Sequence, residues 1–196
     1  MIRFGTLGPV VSNHDWVAHE YLKKHKLIQA EVVLFTDFDL AFAALLDGRL
    51  DYVLQVAVHP SVAATVARYR NRLHLVDTFI SPSQAMAVVS RRDAEDRSTI
   101  GLQPATRDYI DVSQWSHVVP EPSTVDVSEG LLNGKYGSGI TLVRFVDEYP
   151  DLLEIDEMIG TVVDPWLVYG RQPVACDGPV IWTDSPAAEQ YKAFKD

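Results

Sequence analysis

Ser12, Thr106, Arg107, Ser123 and Thr124 are hydroxyls and one guanidinium placed where strand-like runs give way to helix starts, and His14 and His59 stand at turns of the same kind. Residues of these types at helix N-termini suit one chemistry above others. Unpaired N–H groups, hydroxyl donors and a planar guanidinium together hold carboxylates. Histidine exchanges a proton near neutral pH, so His14 or His59 can serve as the acid when such a carboxylate breaks down. Each residue also has a plainer use. Ser12, Ser123 and Thr124 can simply cap helices, Arg107 can lie on a helix surface, and a turn histidine can be held by hydrogen bonds alone.

Other chemistries lack their residues. The chain has no G-x-S-x-G elbow, no phosphate-binding loop and no G-x-G-x-x-G fingerprint, and Cys176 sits between Ala175 and Asp177 with no histidine nearby. Neither His14-Asp15 nor His59 has the paired spacing of a zinc site, so no metal and no cofactor are expected. A net charge of −10 without a lysine-rich run argues against nucleic acid and acidic membrane surfaces as partners. The start, Met1-Ile2-Arg3-Phe4-Gly5, has no basic segment leading into a long apolar one, and no run is long enough to span a bilayer. A soluble cytoplasmic protein is expected. Its 196 residues, 47% of them hydrophobic, suffice for one domain or two small lobes.

The elements that must position these side chains alternate. Ile2, Phe4 and Thr6 read as a strand stopped by Gly8-Pro9, with Ser12 or Asn13 capping a helix that carries Val17, Ala18, Tyr21 and Leu22 on one face. Glu31 to Phe35 reads as a second strand. A helix through Leu40, Phe42 and Leu46 ends at Asp47-Gly48, and Tyr52 to Val58 reads as a strand buried on both faces, closed by His59-Pro60-Ser61. Val62 to Arg70 is predicted helical, Leu73 to Asp77 and Ala85 to Val89 as strands, with Thr78 and Ser81 in a polar turn between them. This pattern predicts a mainly parallel sheet flanked by helices. In the second half, Thr99 to Leu102 is a strand, a helix is expected through Tyr109, Ile110 and Val112, and Ser123 with Asp126 opens a helix ending at Leu131-Leu132-Asn133-Gly134. That ending echoes Leu45-Leu46-Asp47-Gly48, and both precede strands, which suggests two similar α/β lobes with a cleft between them. Residues 1–80 with 162–196 form the first and 81–161 the second, hinged near Ser81 to Ala85 and near Gly160. Val162 to Gly170 is a strand returning to the first lobe, and Ser185-Pro186 opens a terminal helix in which Ala188, Tyr191 and Phe194 can pack.

Gly8-Pro9 with Ser12, the stretch from Leu46-Asp47-Gly48 to Asp51-Tyr52, and Ser123-Thr124 resemble the prephenate dehydratase family over most of residues 2–170. The resemblance implies a two-lobed, periplasmic-binding-protein-like (type II) fold with its ligand cleft between the lobes, and a catalytic module without a regulatory domain. It departs from that family at Val58-His59-Pro60-Ser61, where a glutamate-asparagine-serine turn is usual. It departs again at Pro165-Trp166-Leu167, where the threonine-arginine-phenylalanine motif of dehydration belongs. Trp166 in this setting is more similar to the non-aromatising prephenate decarboxylases of bacilysin-type antibiotic pathways, although Val10-Val11 departs from their opening loop.

The resemblance implies a cofactor-independent lyase acting on prephenate or a related cyclic carboxylate in specialised, antibiotic-type or tropone-type metabolism. His14, His59 and Trp166 are its catalytic candidates. Ser12, Ser61, Thr78, Ser81, Thr106, Arg107, Ser123 and Thr124 are its substrate-binding set. A small anionic ring compound is the expected partner, and a homodimer is compatible with the chain. The competing expectation is a cytosolic small-anion binder or sensor that kept the cleft without the chemistry.

Overall fold

Strand and helix alternate from the first residues in the computed structural model, which describes residues 1–192. β1 (Ile2–Leu7), α1 (Asn13–Lys24), β2 (Ala30–Phe35), α2 (Phe38–Leu46), β3 (Tyr52–Val56), α3 (Val62–Tyr69) and β4 (His74–Pro82) build most of one half. β5 (Met86–Arg91), β6 (Thr99–Leu102), β7 (His117–Pro120), α4 (Thr124–Leu132), β8 (Ser138–Leu142), α5 (Arg144–Glu148) and β9 (Leu153–Gly160) build the other. β10 (Val163–Gly170) then returns to the first half, and α6 (Pro186–Lys192) follows. The strands form two five-stranded sheets, β2-β1-β3-β10-β4 and β7-β6-β8-β5-β9. This is the two-lobed α/β architecture expected from the sequence.

Local chemistry starts and stops these elements. Asp37 caps α2 by accepting from the Leu40 amide at 2.8 Å, and Gly48 ends that turn at φ +76°, a conformation that glycine takes without a Cβ clash. The second lobe repeats the device with Gly134 at φ +70°. In each lobe an arginine then closes the helix end. Arg91 Nη1 donates to the Leu131 and Leu132 carbonyls at 2.6 and 3.0 Å, and Arg171 Nη1 donates to those of Leu45 and Leu50. Each cation adds hydrogen bonds at the end of its helix and meets the negative end of the helix dipole.

β3 is buried on both faces, as its apolar run predicts. Val53 packs with Phe38, Phe42, Leu45 and Tyr169 on one side, and Leu54 packs with Phe4, Val17, Trp166 and Val168 on the other. Each such side chain contributes about 1.5–3 kcal/mol by leaving water. The second lobe has its own core around Val89, Leu131, Leu142, Phe145 and Leu153.

Four expectations change. The sheets are mixed rather than mainly parallel, because β10 runs antiparallel to β3 and β4, and β5 antiparallel to β8 and β9. The polar turn expected at Thr78 to Gln84 is strand as far as Pro82, because β10 satisfies its backbone in the register Thr78 to Leu167 and Ser81 to Asp164. The helix expected through Val112 is instead two short 3₁₀ turns, Pro104–Tyr109 and Val112–Gln114, parted where Asp111 accepts from the Ser113 amide at 2.9 Å. α6 forms but buries no residue, and Tyr191 on it is exposed; Phe194 lies outside the described residues.

The chain crosses between lobes at residues 83–85 and 161–162. Ser83 donates its amide to the Val162 carbonyl at 2.7 Å, and the Val162 amide donates to Ser83 Oγ at 3.0 Å.

Candidate functional site

Two helix N-termini, one from each lobe, border a single cleft cavity of about 160 Å³. At α1, buried Ser12 accepts from the Asp15 amide at 3.3 Å, and Asp15 Oδ2 accepts from the Val11 amide at 2.7 Å. At α4, Ser123 Oγ accepts from the amides of Val125 and Asp126 at 3.2 and 3.1 Å while donating to Asp126 Oδ2 at 2.6 Å. These caps leave the Asn13, His14 and Thr124 amides without an acceptor among the described residues. Both helix ends therefore present N–H donors and the positive pole of a dipole to the cavity. An apolar cavity of about 150 Å³ holds one benzene, so this one has room for a single ring. A larger hollow of about 610 Å³ lies at the other end of the first sheet, beside Tyr21, Tyr52 and Arg171, where none of these turns reaches.

His14 and Trp166 form one wall of the cavity, edge to face with ring centroids 5.3 Å apart. Trp166 is fully buried and stacks on Phe79, and among the described residues neither its Nε1–H nor the buried His14 Nε2 has a hydrogen-bond partner. Burial, and secondly the nearby His59, push the His14 pKa from its ordinary 6.5 down to about 4. The ring is thus uncharged at neutral pH. Asp164 lies two residues before Trp166 on β10, so the strand turns both to the cavity, and burial raises its carboxyl pKa. Tyr109 faces it from the second lobe, its phenol pKa raised by burial and then by the Asp164 charge.

The structure brings Ser12, His14, Thr106, Ser123, Thr124 and Trp166 to this cavity. It does not bring the rest of the expected set. Arg107 is exposed and lies off the cavity, one position past buried Thr106 in a 3₁₀ turn that puts Thr106 and Tyr109 on the cavity side. Thr78 donates to the Trp166 backbone carbonyl at 2.9 Å, a bond that its place in β4 dictates. Ser81, opposite Asp164 in the register, donates to the Pro82 carbonyl at 3.0 Å. His59 stands beyond Phe38 and borders a separate hollow with Ser61. Its Nδ1 accepts from the Ser61 amide at 3.2 Å and lies 2.8 Å from Ser61 Oγ, which also accepts from Gln55 Nε2 at 2.9 Å. Ser61 and His59 therefore hold each other, and burial lowers the His59 pKa.

Asp164, Tyr109 and Gln84 line the cavity without having been singled out from the sequence. The alternation Asp164–Trp166 carried the first of them. No lysine or arginine lines the cavity among the described residues, and no three His, Cys, Asp or Glu side chains there are grouped to hold a metal ion.

No protein-family model matches this sequence, and no curated protein does. Solved structures do match in fold. The prephenate dehydratase of Arthrobacter aurescens, in complex with L-Phe, gives a TM-score of 0.65 at 19% identity, covering 96% of this chain and 70% of that one. GqqA, described as a novel type of quorum quenching acylase, gives 0.52 at 13% identity, covering 98% and 75%. The periplasmic VFT2 domain of BvgS from Bordetella pertussis gives 0.51 at 11% identity, covering 86% and 80%. Two sheets joined by a double crossover thus make a prephenate-dehydratase-like fold, of the two-lobed type II kind, with the cavity at the junction of its lobes.

Proposed function

We propose that the protein binds a small cyclic carboxylate in the cleft and acts on it as a cofactor-independent lyase of the dehydratase or decarboxylase kind, in specialised, antibiotic-type or tropone-type metabolism. One observation carries this reading. Helix N-termini from opposite lobes meet at a ring-sized cavity whose wall holds two buried, unpartnered nitrogens, His14 Nε2 and Trp166 Nε1. The amides of Asn13, His14 and Thr124 would hold a carboxylate, and Trp166 with Val56 and Met86 supplies an apolar wall for the ring. When a ring carboxylate leaves as carbon dioxide, its carbon–carbon bond pair enters the ring system, and a proton must be delivered as the product forms. Uncharged His14 relays that proton from water, taking it up at one ring nitrogen while giving one to the ring carbon from the other.

Incubation with prephenate, following ultraviolet absorbance and carbon dioxide release together, tests this directly. Turnover that Trp166→Phe and His14→Asn both reduce supports it, and binding without release of either product removes the lyase reading. The absence of a lysine or arginine from the described lining favours a second reading, a small-ligand binder without turnover. That reading expects a ligand-induced rise in melting temperature and no product.

A further inference from the structure

We propose that Asp164 and Tyr109 form a cross-cleft subsite for a hydroxyl group on the ring of the bound carboxylate, a reading that rests on the cleft being the ligand site. The two side chains come from opposite lobes, Asp164 from β10 and Tyr109 from the end of the Pro104–Tyr109 turn, and both line the one cavity. Neither makes a side-chain hydrogen bond among the described residues, although every capping side chain around them does. Burial, and secondly the Asp164 charge, raise the Tyr109 phenol above its ordinary pKa. The other titratable group on the cavity, His14, is uncharged and leaves the Asp164 carboxylate without a counter-ion.

The pair selects by hydrogen-bond type. An ionised carboxylate only accepts, and a phenol O–H donates. A hydroxyl both donates and accepts, so it satisfies Asp164 and Tyr109 at once. An ammonium pairs with Asp164 but lacks the lone pair for Tyr109, a carboxylate lacks the proton for Asp164 and meets its charge, and a bare ring leaves both to water. With the carboxylate held at the helix N-termini, the hydroxyl sits on the far side of the ring. It also ties one lobe to the other, because its two partners belong to different sheets.

Calorimetry on the full chain with a matched series tests the subsite: cyclohexanecarboxylate, its 4-hydroxy and 4-amino derivatives with each isomer run separately, and cyclohexane-1,4-dicarboxylate. The hydroxy acid is expected to bind about ten- to one-hundred-fold more tightly than the bare ring, the range of one hydrogen bond to a charged group. Asp164→Ala and Tyr109→Phe should each bring the ratio of hydroxy-acid to bare-ring affinity close to one while both acids still bind, a pattern that misfolding would not produce. Equal binding of the hydroxylated and bare rings, or a preference for the amine or the diacid, overturns the subsite alone. If no member of the series binds, the ring-carboxylate reading of the cleft falls and the subsite falls with it.

Discussion

Gln84 donates its backbone amide to Asn13 Oδ1 and its side-chain amide to the Val11 carbonyl, each at 3.0 Å, so the crossover between lobes is fastened to the loop that carries the α1 N-terminus. That loop is under strain. Val11 is β-branched yet sits at φ +61°, a conformation costing on the order of 1–3 kcal/mol. Asp15 holds its amide, Gln84 holds its carbonyl, and its side chain packs on the core of the second lobe. The amides offered to the cavity are therefore aimed by contacts from both lobes.

Gln84→Ala removes the side-chain bond but keeps the backbone bond to Asn13. It is expected to weaken cyclic-carboxylate binding about tenfold and to lower stability by about 1 kcal/mol. Calorimetry and urea denaturation read the two effects separately, and unchanged affinity would show that the side-chain bond from Gln84 does not set the loop.

Ser12→Ala and Ser123→Ala each remove an N-cap acceptor, at a cost of about 1 kcal/mol apiece. The glycine variants should cost only a few tenths of that, because water then reaches the open amides. The urea midpoints of the four variants order themselves accordingly if the hydroxyls act as caps.

His14 makes stability depend on pH. Its folded pKa, about 4, lies below the ordinary 6.5, so between those values the unfolded chain binds more protons than the folded one. Its contribution is complete above about pH 6.5 and is lost as the pH falls towards 4. His14→Asn should flatten the fall in urea midpoint between pH 7 and pH 5 relative to the wild type, by the linkage of proton uptake to unfolding. An unaltered slope would place that proton uptake on other groups.

Arg107→Ala should leave both ligand affinity and stability unchanged, the latter within about 0.5 kcal/mol, since its side chain is exposed and lies off the cavity. A clear loss of affinity in calorimetry would return Arg107 to the site.

Gly130→Ala should destabilise the second lobe. A Cβ at Gly130 would overlap the Tyr136 hydroxyl and ring, and that ring is buried with its hydroxyl 3.1 Å from both Glu121 Oε1 and the Val127 carbonyl. Overpacking of this kind costs about 1–3 kcal/mol, and a melting temperature within error of wild type would show that Tyr136 can move aside.

What the sequence revealed follows from the range of the forces involved. The two lobes were legible because each repeats a helix ended by glycine, and Gly48 and Gly134 do adopt the left-handed conformation that makes such endings. Ser12 and Ser123 were legible because capping acts over three residues. Arg107 was misplaced because the sequence sets Thr106 and Arg107 side by side without showing which of the two faces inward, and Thr106 is the one that is buried. Thr78 and Ser81 were read as a turn because the partner that makes them strand lies more than eighty residues away. Asp164 escaped notice for the same reason. Beside Pro165 it reads as a surface acid until β10 is known to run between β3 and β4, which fixes the face it shares with Trp166.

The position of β10 also decides which of the two sheets needs a late strand to close. Among the described residues β4 has no hydrogen-bonded neighbour in its sheet other than β10, so the chain up to Gly160 leaves β3 with a bare edge and β4 with no partner. The strands from β5 to β9 are contiguous in sequence and need nothing later to close their sheet. The second sheet can therefore close without any later strand, whereas the first keeps two open strand edges until β10 is added between them.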